Sequence, residues 1–156
     1  GASVVPSLCR ATFDRRTLVG EDEAVILGQV NEAIARAQET HPGLKARCYL
    51  AEGEEKCWTG DTIRAKRYFP AWVVDEDSEL VQGAMKGLKD AGIEAKLSHF
   101  AFCTNGSSFC GEAGIPTIGY GPSLESLAHV RDEYIEIDQL LKSCKGFESI
   151  LTQLTR

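Results

Sequence analysis

The sequence predicts an α/β protein, because segments with helical apolar spacing alternate with shorter segments typical of strands. Helices are expected over residues 22–39, 78–91 and 137–154. Strands are expected over residues 8–16, 45–51, 94–97, 100–102 and 115–120. Helix and strand alternate closely in the second half of the chain, which favours a mostly parallel sheet there.

The first half of the chain is expected to form a small α+β lobe around one amphipathic helix. Acidic residues 21–23 place negative charge at the start of helix 22–39, where the helix macrodipole favours it. The sequence His41-Pro42-Gly43 ends that helix. Residues 52–55 are predicted to form a turn, and residues 61–68 a looser extended segment.

The character of the chain changes at Phe69-Pro70-Ala71-Trp72, which is predicted to be a hinge. In the second half, Ser78 is the expected N-cap of helix 78–91, and Gly92 lies just past its end. Residues 115–120 are predicted to form a buried strand.

Composition and charge narrow the class of protein. A chain of 156 residues suffices for one domain or two small lobes, and 43% hydrophobic with 26% charged residues is typical of globular proteins. The net charge is −6 and no basic cluster could follow a phosphate backbone, so no nucleic-acid partner is expected. No signal peptide opens the sequence, and no apolar run approaches the roughly 18 residues of a membrane span. We therefore expect a cytoplasmic protein without a membrane partner.

The six cysteines form neither a CxxC pair nor a zinc-ribbon spacing. They are Cys9, Cys48, Cys57, Cys103, Cys110 and Cys144. In the absence of a secretion signal we interpret them mainly as small buried hydrophobic residues. Cys103 and Cys110 are the first pair to consider for a disulfide or a metal role.

His129 is the strongest candidate for a functional side chain. It lies in a loop that follows the predicted strand 115–120 and its Gly-x-Gly-Pro exit, and Asp132 and Glu133 come shortly after it. Loops at the carboxyl edge of an α/β sheet commonly present ligands, and nearby carboxylates can fix an imidazole ring. A lone histidine is nevertheless more often structural. One imidazole cannot hold a metal ion by itself, because catalytic zinc usually takes three protein ligands.

Residues 104–108, Thr-Asn-Gly-Ser-Ser, form a second candidate site. The segment leaves a predicted strand, and small polar residues with free backbone N–H groups suit an anion or a carboxylate. The alternative is a simple turn built on Asn105-Gly106, and the sequence does not choose between the two.

Two further patterns carry little functional weight. Gly119-Tyr120-Gly121 is followed by Pro122 and not by a helix, so it fails the context of a dinucleotide-binding motif. Glu54-Glu55 is a carboxylate pair of a type that can serve as general base and metal ligand. Its place in a polar turn favours a solvated loop.

Five blocks of this sequence resemble, in the same order, the later part of the M20 metallopeptidases. That family includes aminoacylases, succinyl-diaminopimelate desuccinylases, acetylornithine deacetylases and carboxypeptidase G, and the bacterial YgeY-type hydrolases are the most similar group. The blocks are Val4–Gly20, Phe69–Trp72, Thr104–Gly106, Gly114–Gly119 and Ala128–Tyr134.

The resemblance implies a zinc-dependent α/β domain interrupted by a smaller lid that also forms a dimer. Residues 1–70 would be the later part of the lid, and residues 71–156 the last part of the catalytic domain. His129 would be a ligand of one of two Zn²⁺ ions, although other divalent metals are possible. Arg16 would meet a substrate carboxylate, and Thr104, Asn105 and Gly106 would line the substrate site. The substrate would be a small N-acyl amino acid or peptide, and the partner a second copy of the chain.

Several family features have no counterpart in this sequence. The HxD motif and the later acidic ligands are missing. The catalytic Glu-Glu pair is missing too, since Glu54-Glu55 falls in the wrong lobe, and Ser3 stands where an asparagine usually precedes Val-x-Pro. We therefore expect a carboxy-terminal fragment of an amide hydrolase that is inactive alone and retains zinc poorly. The alternative is a non-catalytic dimerisation module derived from the same family.

Overall fold

The computed structural model describes residues 4–156, so the prediction for Ser3 lies outside the described residues. The chain divides into two compact units, Gly1–Ala71 and Trp72–Arg156. Helices combine with one small sheet, in keeping with an α/β class at this coarse level. The elements are α1 (Glu23–Thr40), β1 (Glu52–Lys56), β2 (Thr62–Lys66), α2 (Glu79–Asp90), a π-helical segment (Ser107–Glu112), a 3-10 turn (Glu125–Leu127) and α3 (Ile137–Leu154).

Helix α1 of the first unit confirms the prediction for residues 22–39. Asp22 is its N-cap, and the Asp22 carboxylate accepts a hydrogen bond from the Val25 N–H at 2.8 Å. The helix ends at His41, whose N–H donates to the carbonyl of Ala37 at 2.9 Å. Ile26 is the buried residue of this helix, while Val25 and Val30 stay exposed.

The sheet is an antiparallel hairpin in which β1 pairs with β2, from Glu52 opposite Lys66 to Lys56 opposite Thr62. The predicted turn at residues 52–55 is therefore wrong, and the predicted extended segment 61–68 contains β2. Charged residues are poor strand formers by propensity, but opposite charges pair across the hairpin. Arg64 Nε lies 2.9 Å from Glu54 Oε2, for example.

Two strands predicted in the first unit do not form. Residues 8–16 and 45–51 are irregular in the structure, and residues 8–16 are exposed throughout. A segment becomes a strand only when a neighbouring segment pairs with its backbone. Among the described residues no backbone partner pairs with residues 8–16, and in residues 45–51 only the Ala51 carbonyl is paired, accepting from the Arg67 N–H at 2.7 Å.

The second unit is organised by α2 and α3, which confirm the predictions for residues 78–91 and 137–154. Ser78 caps α2, and Gly92 follows it with a positive φ of 72°. The two helices pack closely at Gly87, where a Cβ atom would lie 2.9 Å from the Cα of Ile150.

A small hydrophobic core lies between these two helices. Its buried residues are Ala84, Leu88 and Ile150, and the partly buried residues packed against it are Ile93, Ala95, Ile118 and Tyr120. Several of the packing residues come from irregular segments, so those segments are held to the helix pair by side-chain contacts.

The strands predicted at residues 94–97, 100–102 and 115–120 are absent, and so is the predicted parallel sheet: the described residues contain a single sheet, the hairpin. Residues 115–120 are also not buried as expected, since Ile115 is exposed. In this region aromatic rings pack against glycines, and no backbone hydrogen bonds among the described residues pair these segments as strands. A Cβ on Gly119 would lie 2.2 Å from Phe100 Cε2, and one on Gly146 would lie 2.2 Å from Tyr120 Oη.

The exposed surface is large for the size of the chain. It amounts to 12966 Å². For comparison, consider two independent folded domains with a combined mass of 17.0 kDa, divided between them as the residues are divided between the two units. Together they would expose about 9,300 Å². Large apolar side chains contribute to the excess, among them Phe13, Trp58 and Ile137. The two units therefore leave much apolar surface uncovered.

The cysteines do not form the buried set that was expected. All six are free thiols; Cys9, Cys103 and Cys144 are exposed, and the other three are half-buried. Cys103 and Cys110 are not bonded to each other. Among the described residues, no helix is long and apolar enough to cross a membrane.

Candidate functional site

His129 lies in an exposed loop that follows the 3-10 turn, and its backbone is left-handed, with φ at 60°. The Glu133 carboxylate accepts a hydrogen bond from the His129 backbone N–H at 3.1 Å. The sequence led us to expect that this carboxylate would hold the imidazole ring. In the structure Glu133 instead holds the backbone.

The irregular stretch from residue 121 to residue 136, which includes the 3-10 turn and is called the His129 loop below, contains an unusual concentration of left-handed residues. Ser123 and Asp132 also have positive φ values, 76° and 60°. Each such non-glycine residue costs about 1–3 kcal/mol when strained, so the surrounding contacts must hold the loop in place. Gln139 of α3 contributes one contact by accepting from the Ser123 N–H at 2.8 Å. A second contact joins Ser123 Oγ to the carbonyl of Tyr134 at 3.4 Å.

The donor groups around His129 do not make up a metal site by themselves. Zinc usually takes three or four nitrogen, sulfur or oxygen ligands from the protein. No cluster of three or more His, Cys, Asp or Glu side chains suited to a metal ion occurs within residues 4–156. A zinc site that included His129 would need further ligands beyond those that residues 4–156 bring together.

The Thr104–Gly106 segment leads directly into the π-helical segment and uses its own backbone donors. The N–H of Gly106 donates to Thr104 Oγ1 at 3.1 Å, and the N–H of Ser107 donates to the Thr104 carbonyl at 3.1 Å. The N–H groups of Ser108 and Phe109 both donate to the Asn105 carbonyl. The prediction that this segment offers a run of free N–H groups to an anion is therefore wrong from Gly106 onward. Asn105 itself is exposed.

The segments that lead into the two candidate loops are joined to each other. The N–H of Ala101, three residues before Thr104, donates to the Glu125 carboxylate at 3.0 Å. Glu125 begins the 3-10 turn that precedes His129. This carboxylate was not singled out in the sequence, because nothing in its local pattern indicates a long-range backbone contact.

Arg16 belongs to the first unit, and the other candidate residues belong to the second. Its side chain is exposed and forms no ion pair within the described part of the chain. The neighbouring Arg15 is engaged instead, in an ion pair with Glu21. The Leu18 N–H hydrogen bond, together with Arg15, lowers the pKa of the Glu21 carboxyl below its ordinary value.

The Glu54-Glu55 pair lies in strand β1 and not in the expected solvated loop. Arg67 lies 3.5 Å from Glu55, and Glu54 pairs with Arg64 as described above. Both carboxylates are exposed. Glu54 thus pairs across the hairpin, and Glu55 pairs with a residue that directly follows β2.

One family model and several known proteins are similar to this chain. The model of Peptidase family M20/M25/M40 matches residues 14–153. The Uncharacterized protein YgeY of Escherichia coli is 31% identical over 130 residues, which cover 83% of this chain and 31% of that protein. A Putative [LysW]-lysine/[LysW]-ornithine hydrolase of Pyrococcus horikoshii is 29% identical over 87 residues, 56% of this chain and 27% of that protein.

The aligned part of this chain spans about a third of the length of these curated relatives. No solved structure matches the chain. The family match includes Arg16, the Thr104–Gly106 segment and His129, and it extends over most of the sequence. This chain therefore belongs to peptidase family M20/M25/M40.

Proposed function

We propose that this chain is the carboxy-terminal part of a zinc-dependent M20 hydrolase that cleaves amide bonds in N-acyl amino acids or small peptides. The observation that carries the proposal is the His129 loop. Within the region matched by the family, a histidine is held in a left-handed backbone by Glu133 and presented to solvent. Strained backbone that surrounding contacts maintain is typical of functional sites.

Each predicted site residue has a role in this proposal. His129 supplies one ligand to a two-zinc centre, and acidic and histidine residues outside this chain supply the others. Arg16 binds a substrate carboxylate, for which a guanidinium without an internal ion pair is suited. Thr104, Asn105 and Gly106 line the substrate site, where the exposed Asn105 amide offers both a donor and an acceptor.

The uncovered apolar surface supports the view that the two units belong to a larger protein. The relatives are about three times longer than the aligned segment, so their remaining residues are sufficient in number to cover such faces. The described residues 4–156 bring together no group of three or more possible metal ligands. We therefore expect it to bind zinc weakly and to show no turnover of N-acyl amino acids or dipeptides.

The test is a chimera of E. coli YgeY in which residues 14–153 of this chain replace the matching segment. Metal analysis is expected to find two zinc ions per chimera and one fewer after His129→Asn. Asparagine tolerates the left-handed backbone, so this variant removes the imidazole while keeping the loop. Retention of both ions by the variant, or tight zinc binding by the 156-residue chain alone, would contradict the proposal. Sequencing upstream of Gly1 adds an independent check, with an HxD motif and a Glu-Glu pair expected.

A second candidate is a non-catalytic module that associates with a second copy of itself. The observation in its favour is the hairpin: β1 and β2 pair only with each other among the described residues, so both strands keep an open edge. Sedimentation velocity of the isolated chain distinguishes the candidates. A concentration-dependent dimer together with an upstream sequence lacking metal ligands would favour association, while a strict monomer at high concentration would exclude it.

A further inference from the structure

Trp72 contacts one of the candidate substrate-site residues from a distant part of the sequence. Gly106 is buried, and a Cβ atom built on it would lie 2.3 Å from Trp72 Cζ2 and 2.6 Å from Cε2. Such distances are far below van der Waals contact, so only glycine allows the indole to lie this close to the backbone. The ring therefore packs directly on the main chain at residue 106.

The segment beneath the indole is a closed local unit. Thr104 and Asn105 accept four backbone N–H groups from Gly106 through Phe109, which leads the chain into the π-helical turn. Because these hydrogen bonds are local, they fix the shape of the segment but do not fix its position in the unit. The contact with Trp72 acts on the segment itself, whereas the Ala101–Glu125 hydrogen bond holds only the residues that precede it.

We propose that Trp72 is a positioning residue that holds the Thr104–Gly106 segment in place, with Gly106 against the indole and Asn105 exposed toward substrate. The inference rests on the proposed function, in which this segment lines the substrate site. A rigid ring with two rotatable bonds suits the role, because it provides a large contact at a small cost in conformational entropy. Trp72 acts through the segment and is not itself a substrate contact.

The first test follows a chemical reaction of the segment itself. In flexible Asn-Gly sequences the glycine nitrogen attacks the asparagine side-chain carbon, ammonia leaves, and water opens the resulting imide to aspartate or isoaspartate. Here the Gly106 nitrogen donates to Thr104 and the residue packs closely against Trp72, so this reaction is expected to be slow. Peptide mass spectrometry of the 156-residue chain measures the rate at Asn105.

Trp72→Ala is expected to accelerate deamidation at Asn105 about tenfold, equivalent to about 1.4 kcal/mol less protection against local opening. Trp72→Phe retains a ring and should give a rate near that of the wild type. Trp58→Phe is the matched control, since Trp58 is 97% exposed and belongs to the other unit. An unchanged rate in Trp72→Ala would overturn the proposal. If deamidation accelerates only together with a loss of helical circular dichroism, Trp72 has a general structural role, and the proposal would also be overturned.

The second test uses the YgeY chimera described above. Trp72→Ala is expected to raise KM for the best N-acyl amino acid about tenfold while zinc content and kcat change little, as for a loss of about 1.4 kcal/mol in substrate binding. Trp72→Phe should restore most of the affinity. A fall in kcat at unchanged KM would contradict a positioning role. If the chimera lacks hydrolase activity but deamidation responds as expected, the proposed function fails and the positioning by Trp72 stands.

Discussion

The two units of this chain both contain regular α-helices, but these helices differ in what they pack against. In the second unit, α2 and α3 bury Ala84, Leu88 and Ile150 between them. In the described part of the first unit, Ile26 is the single buried hydrophobic residue. Both α1 and α2 have a capping side chain at their N-termini. The difference teaches that a partner at close range, and not helix propensity, creates the core.

The largest change in stability is expected from substitutions of buried residues, and it should differ between the two units. Leu88→Ala should lower the free energy of unfolding of the second unit by about 2–5 kcal/mol, because it leaves a cavity in the contact between helices. Ile26→Ala should cost less, since no buried cluster surrounds it. Urea unfolding followed by circular dichroism, with hydrogen exchange to assign the helices, measures both. Equal losses would show that α1 has a core of its own.

A pair of glycine substitutions sharpens the same comparison. Gly87→Ala brings a Cβ atom to 2.9 Å from backbone atoms of Ile150 and Ser149, so we expect a net cost of about 1–2 kcal/mol. Gly28→Ala in α1 meets no atom within 4 Å and should stabilise by up to about 1 kcal/mol through helix propensity. The sign of the change in urea midpoint is the readout. Stabilisation by Gly87→Ala would refute the close packing of α2 on α3.

Removal of the helix caps should show the same difference between α1 and α2, with a smaller effect on stability. Asp22→Ala and Ser78→Ala each remove an acceptor for a backbone N–H and should each cost about 1 kcal/mol. Hydrogen exchange should then spread further into α1 than into α2, because α3 continues to hold α2. Equal spreading in the two helices would count against the contrast between the units.

The smallest effect concerns acid stability in the first unit. The Leu18 N–H hydrogen bond and Arg15 lower the pKa of the Glu21 carboxyl in the folded chain. Its contribution to stability is therefore present above the ordinary pKa of glutamate and disappears as pH falls through the lowered folded value. Glu21→Gln should flatten this part of the pH dependence of unfolding, and Arg15→Gln should do so partly. An unchanged slope in Glu21→Gln would show that this carboxylate does not contribute to acid stability.

The sequence predicted the helices well and the strands poorly, for a physical reason. Apolar spacing and capping residues are local, and they gave α1 and α2 to within a residue or two of their ends. Strand pairing depends on a neighbour: Glu52–Lys56 became a strand through β2, while residues 8–16 had no ladder to join. The left-handed backbone of His129 and the target of Glu133 also depend on the assembled loop. Neither could be derived from residue type.

The left-handed backbone at His129 also has an evolutionary consequence. Asparagine, aspartate and glycine adopt this conformation most readily, whereas β-branched residues are strongly disfavoured there. A lineage that lost its need for the imidazole would therefore be expected to drift toward those three residues before any others. The shape of the main chain would then preserve a record of the ancestral site after its side chain had gone.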